Sequence, residues 1–326
     1  MPRLIFPVLL PLHDSRLRVQ LRTGAVLATA LVSLLIGSVA AVAADDVVWP
    51  KVRAKGLLLV ELGRQEVLLE ANAGKRLAPA SLTKVMTALI AIDEGDPDAA
   101  VTVSRHAARA TGHRLRLRAG QQFRLGDLVD AMLVTSANDA CRAVAEAIGG
   151  SETAFVARMN AYVAALHLPD THFANACGFD APGHYSTAQD LARLAAAALD
   201  RPAFAETVKL RNGVLRTLDG RRAYRFRTTN RLMMSNFDGA VGVKTGFTRG
   251  AGRCLIARVV REQGDLLLVM LNAPRRWWDA ATLLSRAFDT LADRTPPETA
   301  PAWIPVEPPA DVTGSESAPS AGPIPL

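Results

Sequence analysis

An α/β (α+β) chain, built as an antiparallel sheet carrying a helical lobe, is predicted by three features of the 326-residue sequence. Strand-like runs stand at both ends of the body, a mainly helical stretch separates them, and the hydrophobic period changes from two to 3.6 near Ser81. At 49% hydrophobic and 21% charged, the chain can bury a sizeable core, which excludes wholesale disorder.

The elements follow in order. Gly56 to Leu62, a turn near Gly63-Arg64, and Glu66 to Glu70 read as an opening hairpin. From Ser81, the apolar residues Leu82, Val85, Met86 and Leu89 fall at i, i+3, i+4 and i+7, which is one face of a helix. Residues 126–199 read as mainly helical, with segments near 126–134, 138–148, 152–166 and 187–199. The last is expected to start with Ser186 as cap and Gln189 reaching back. After Pro202 the pattern returns to strands. Leu255 to Val260 and Leu266 to Leu271 flank a turn at Glu262 to Asp265, and Trp277 to Leu291 closes as a helix.

The two ends differ from this body. After Arg16, Arg18 and Arg22, no residue from Thr23 to Ala44 is charged, and Ala41-Val42-Ala43 fits a signal-peptidase site. Residues 1–44 are therefore expected to be an export signal, with an uncleaved membrane anchor as the alternative. Either places the body outside the cytoplasm, in the periplasm or at the cell wall. Nine of the 19 prolines lie in residues 295–326, which reads as a disordered tail. The expected catalytic domain is 45–294.

That body holds 34 basic and 26 acidic residues, a surface that attracts polyanions. Two arginine-dense stretches, Arg114 to Arg118 and Arg221 to Arg227, alternate charged and apolar residues. They are read as half-buried strands rather than a nucleic-acid platform. Cys141, Cys177 and Cys254 are far apart with no CxxC, and are expected to be small buried apolar residues. The histidines form no HExxH motif, so no metal site is written here.

Lysine is scarce: 32 Arg accompany only six Lys. Arginine cannot release its proton in a protein, whereas a buried lysine can. Lys84 lies three residues after Ser81, on the same helix face, where its amine can take the proton that makes serine a nucleophile. Fifty-five residues later, Ser136-Ala137-Asn138 lies between two helical segments and offers a hydroxyl and a carboxamide. Lys244-Thr245-Gly246 follows 108 residues beyond Ser136, on a strand with glycines on either side, where a cation and a hydroxyl suit a terminal carboxylate. Each motif alone is weak.

In this order the three form the signature of penicillin-binding proteins and class A β-lactamases. The chain resembles the low-molecular-weight penicillin-binding proteins, the serine-type D-alanyl-D-alanine carboxypeptidases of peptidase family S11, over about residues 50–292. The likeness includes Pro79 to Lys84, Ser136 to Ala140, Met159-Asn160, Gly183 to Ala188 and Val243 to Thr248. It implies a β-lactamase/transpeptidase-like fold and an acyl-enzyme on Ser81 that releases terminal D-Ala from peptidoglycan stem peptides. Lys84 would be the base, Ser136 a proton shuttle and Asn138 a peptide holder. Lys244 with Thr245 would bind the terminal carboxylate, Gly246 and Phe247 would also bind substrate, and the Ser81 and Phe247 N–H groups would form the oxyanion hole. β-Lactam antibiotics would be covalent inhibitors; no cofactor, metal or nucleic acid is implied, and membrane contact only through an uncleaved signal.

Typical members continue into a β-rich second domain and a membrane-lying helix, which the proline-rich tail does not match. Shorter relatives include D,D-endopeptidases that cut cross-links, so that activity is the runner-up. A β-lactamase would need a deacylating Glu beyond SxN, and residues 154–205 contain none. A non-catalytic wall-binding protein would not require Ser81, Lys84, Ser136 and Lys244 together.

Overall fold

The computed structural model describes residues 47–292; the expected signal and tail lie outside them. Strands β1 (Gly56–Glu61) and β2 (Glu66–Ala71) form the opening hairpin. A 3-10 turn at Ala80–Thr83 leads into α1 (Lys84–Glu94). Next come β3 (Ala100–Thr102), α2 (Arg105–Ala108) and β4 (Gln122–Arg124), then α3 (Leu125–Thr135), α4 (Asn138–Gly149) and α5 (Glu152–Ala165). The chain continues through α6 (Ala188–Leu199), α7 (Pro202–Lys209), β5 (Asn212–Arg216), β6 (Ala223–Arg227) and α8 (Arg231–Met234). It ends in β7 (Ala240–Thr248), β8 (Gly252–Arg261), β9 (Gly264–Leu271) and α9 (Arg276–Ala292).

The main sheet is antiparallel in the order β2-β1-β9-β8-β7. The two-residue period sorts its side chains. Leu57, Leu59, Leu255, Ala257, Leu266 and Leu268 pack on α9 through Leu283, Leu284 and Phe288. Leu58, Val60, Ile256, Leu267 and Val269 face the other way, into the core shared with α1, α3, α4 and α6. Helix α1 is enclosed on every side: Lys84 through Ala91 are all buried, so the predicted stripe understates its burial.

Four expectations need correction. Cys141 and Cys177 are joined by a disulfide, with Cα atoms 5.9 Å apart, because α4 and the 175–178 loop converge over Lys84; Cys254 alone is free and buried. Residues 114–118 keep the alternation but form no strand. The Leu115 and Leu117 N–H groups donate to the buried Asp139 carboxylate instead of to a ladder. By contrast, Ala223–Arg227 is the expected strand, with Phe226 turned inward. Helix α6 is capped by Thr187, whose Oγ1 accepts from Asp190 N, while Ser186 Oγ bonds Thr171 Oγ1. Pro202 opens a helix, taking the first-turn position where its missing N–H costs nothing, before the strands resume.

Candidate active site

The turn that carries Ser81 is set by close backbone approaches. Ala80 has φ 51, a left-handed conformation that non-glycine residues rarely adopt. Thr83 Oγ1 donates to Ala80 O at 2.8 Å and is 2.9 Å from His184 Nε2. His184 Nδ1 accepts from Ala174 N, so its proton sits on Nε2, and burial pushes its pKa down to about 4. Two glycines let neighbouring chain reach this turn. A Cβ on Gly178, which has φ +85, would lie 1.9 Å from Ala80 O. One on Gly246 would lie 3.2 Å from Ser81 N, so β7 runs directly against the turn.

Lys84, the first residue of α1, is fully buried. Its Nζ donates to Ser81 Oγ (3.1 Å), Asn138 Oδ1 (2.7 Å) and the Cys177 carbonyl (2.6 Å). Burial lowers its pKa to about 7 against the opposing pull of Asp139, so the neutral amine is well populated at neutral pH. Ser136 ends α3 in the left-handed conformation (φ 64), a reversal that leaves it lining the cavity with Ser81 and leads into Asn138, which contacts the base. Asn138 is oriented by its own partners: its N–H donates to His113 O and its Nδ2 to Thr111 O, which leaves Oδ1 for Lys84.

From β7, Lys244, Thr245 and Gly246 are buried while Phe247 is 62% exposed. Lys244 Nζ donates to Thr245 O at 2.8 Å; burial, with Lys84 and Arg276 nearby, holds its ammonium well below the usual lysine range. An entering carboxylate would reverse that pressure. Ser81, Ser136, Asn138, Thr245, Gly246 and Phe247 line one cavity of about 870 Å³, with Lys84 reaching Ser81 from the buried side. The structure therefore brings every predicted residue to one place, except that Lys244 contributes from beneath the lining.

Sequence reasoning missed three contributors. Arg276, at the start of α9, lines the cavity and donates from Nη1 to Gly246 O and Cys254 O. Burial lowers it to about 10, so it stays cationic at neutral pH. Among 32 arginines, nothing singled it out. Thr229 Oγ1 lies 2.5 Å from Thr245 Oγ1, fixing the hydroxyl next to Lys244. Asn175 Oδ1 accepts the N–H groups of Cys177, Gly178 and Phe179, shaping the loop that presents the Cys177 carbonyl. Among the described residues, no cluster of three or more His, Cys, Asp or Glu is placed to hold a metal. No described helix is long and apolar enough to cross a membrane.

A serine beside a buried amine, with the strand of buried Lys244 and the Arg276 cation at the same cavity, is an acyl-transfer arrangement. The family model for D-alanyl-D-alanine carboxypeptidases matches residues 41–275. The chain belongs to peptidase family S11. Within this family it is 35% identical over 225 residues to the D-alanyl-D-alanine carboxypeptidase DacF of Bacillus subtilis, covering 68% of this chain and 57% of that one. It is 33% identical to DacC of Escherichia coli, covering 76% and 64%. The chain thus spans about three fifths of the length of these relatives. Among solved structures, the Streptomyces K15 DD-transpeptidase superposes with a TM-score of 0.69 at 26% identity, covering 74% of this chain and all of that one. The antiparallel sheet with flanking helices agrees with the β-lactamase/transpeptidase-like fold that the motifs implied.

Proposed function

We propose that this chain is an exported serine-type D-alanyl-D-alanine carboxypeptidase acting on peptidoglycan stem peptides. The observation that carries the reading is the 3.1 Å contact between the fully buried Lys84 amine and the Ser81 hydroxyl, with burial lowering the amine's pKa to about 7. Neutral Lys84 takes the hydroxyl proton as Ser81 Oγ attacks the penultimate D-Ala carbonyl. The resulting oxyanion is met by the backbone N–H groups of Ser81 and Phe247, brought close by Gly246, each worth roughly 3 kcal/mol.

Ser136, which lines the same cavity as Ser81, is assigned the proton relay from Lys84 to the departing amine, which releases D-Ala. Asn138 holds the peptide through its amide and keeps Lys84 aimed through Oδ1. The terminal carboxylate is bound by Thr245 and Lys244, which is drawn back to its charged form, with Arg276 as a second cation at the cavity. Lys84, neutral again, takes a proton from the water that attacks the acyl carbonyl and returns it to Ser81 Oγ as the ester bond breaks and the shortened stem peptide leaves. β-Lactams enter the same cycle as covalent inhibitors.

Digestion of defined muropeptides tests the assignment. Free D-Ala from a pentapeptide monomer is expected, abolished in Ser81→Ala. Cleavage of cross-linked dimers with intact pentapeptides would mean a D,D-endopeptidase instead.

A further inference from the structure

The Cys141–Cys177 disulfide belongs to none of the three motifs, yet both of its halves lead to Lys84. Cys141 stands one turn into α4, on the same helix face as Asn138, whose Oδ1 accepts from Lys84 Nζ at 2.7 Å. Cys177 itself supplies the carbonyl that accepts from the same Nζ at 2.6 Å. The bond spans 36 residues and joins a helix to a loop. That loop, between α5 and α6, has only the isolated bridges Leu77↔Ser186 and His172↔Tyr185 for regular pairing. Both cysteines are completely enclosed, at 0% and 1% exposure.

We propose that this disulfide is a positioning device for the base: it locks the Cys177 carbonyl and the Asn138 carboxamide against one another, so that Lys84 stays dry and aimed at Ser81 Oγ. The proposal rests on the D,D-peptidase reading above. The bond forms when the two thiols give up two protons and two electrons to a disulfide oxidant, as export into an oxidising compartment allows. Without it, the segment next to Lys84 is held to the helices only by hydrogen bonds, Thr87 Oγ1 to Ala176 O, Ala176 N to Glu152 Oε1 and Lys84 Nζ to Cys177 O, and its loosening admits water to the amine. Burial is the main force holding Lys84 low, so hydration moves its protonation midpoint upward.

The test compares the wild type with a Cys141→Ala/Cys177→Ala double variant, and with wild type made in a reducing compartment, where Cys254 is joined by two further free thiols. Saturating fluorescent penicillin counts competent sites, and second-order acylation constants are measured from pH 5 to 9. Full labelling is expected in all three. Acylation at pH 7 should fall roughly ten- to a hundredfold without the bond, a penalty typical of small misplacements. The acidic limb should move about one pH unit higher. An unchanged rate and limb, with only a lower unfolding midpoint, would reduce the disulfide to a structural staple and overturn the proposal. So would failure of both disulfide-free forms to fold. A wild type that takes up no penicillin would instead overturn the D,D-peptidase reading itself, and the proposal with it.

Discussion

Lowering the pH from 8 to 5 should switch off acylation of Ser81 by titrating Lys84. With its pKa near 7, the amine is about nine-tenths neutral at pH 8, about one-tenth at pH 6 and about one-hundredth at pH 5, so the rate should drop about a hundredfold. An ordinary lysine, at 10.5, would instead give a rate still climbing tenfold per pH unit through pH 9. Time courses with a fluorescent penicillin at several concentrations give the second-order constant, which reports groups of the free enzyme. Because Lys244 is also lowered and senses Lys84, the limb needs an assignment. Lys244→Arg keeps a fixed cation and should keep the limb near pH 7, while Lys84→Arg retains charge, cannot accept a proton and should lose acylation by about a thousandfold or more. A flat profile, a midpoint near 10, or brisk acylation of Lys84→Arg would refute the role of Lys84.

Three further outcomes follow from particular contacts. Gly178→Ala should drive its Cβ into Ala80 O, costing about 3 kcal/mol or more and lowering the thermal midpoint by about 10 °C, with acylation lost as the Ser81 turn shifts. Arg276→Leu should raise KM ten- to a hundredfold for peptides ending in a free carboxylate and leave the poor turnover of amidated peptides unchanged, as steady-state kinetics on the two series would reveal. His184 is held near 4 in the folded chain, against 6.5 ordinarily, so its stabilising contribution is complete above pH 6.5 and is lost as the pH falls towards 4. Urea unfolding at both pH values should show about 3 kcal/mol of that loss in the wild type vanish from the pH difference in His184→Gln.

What could be read from the sequence was what is local or periodic. Ser81 and Lys84 are three residues apart, and the short 3-10 turn running into α1 brings them together. The sheet's two faces follow from alternation in Leu57 to Val60 and Leu266 to Val269. What escaped depends on where long connections travel. The Cys141–Cys177 bond requires the 166–187 loop to return over α4, and no spacing encodes that path. Arg276 reaches the cavity only because α9 starts beside Gly246. At Leu115 and Leu117 a buried carboxylate replaced the neighbouring strand, leaving strand-like alternation without a ladder. Thr229 resembles any other loop threonine until its hydroxyl is seen 2.5 Å from that of Thr245.

The most direct measurement is a peptide map, by mass spectrometry, of protein quenched in acid after brief exposure to a penicillin. The account predicts one adduct, of the mass of the intact antibiotic, on the peptide that contains Ser81, and none in Ser81→Ala. An adduct on Ser136 or elsewhere, or one that persists in Ser81→Ala, would contradict it.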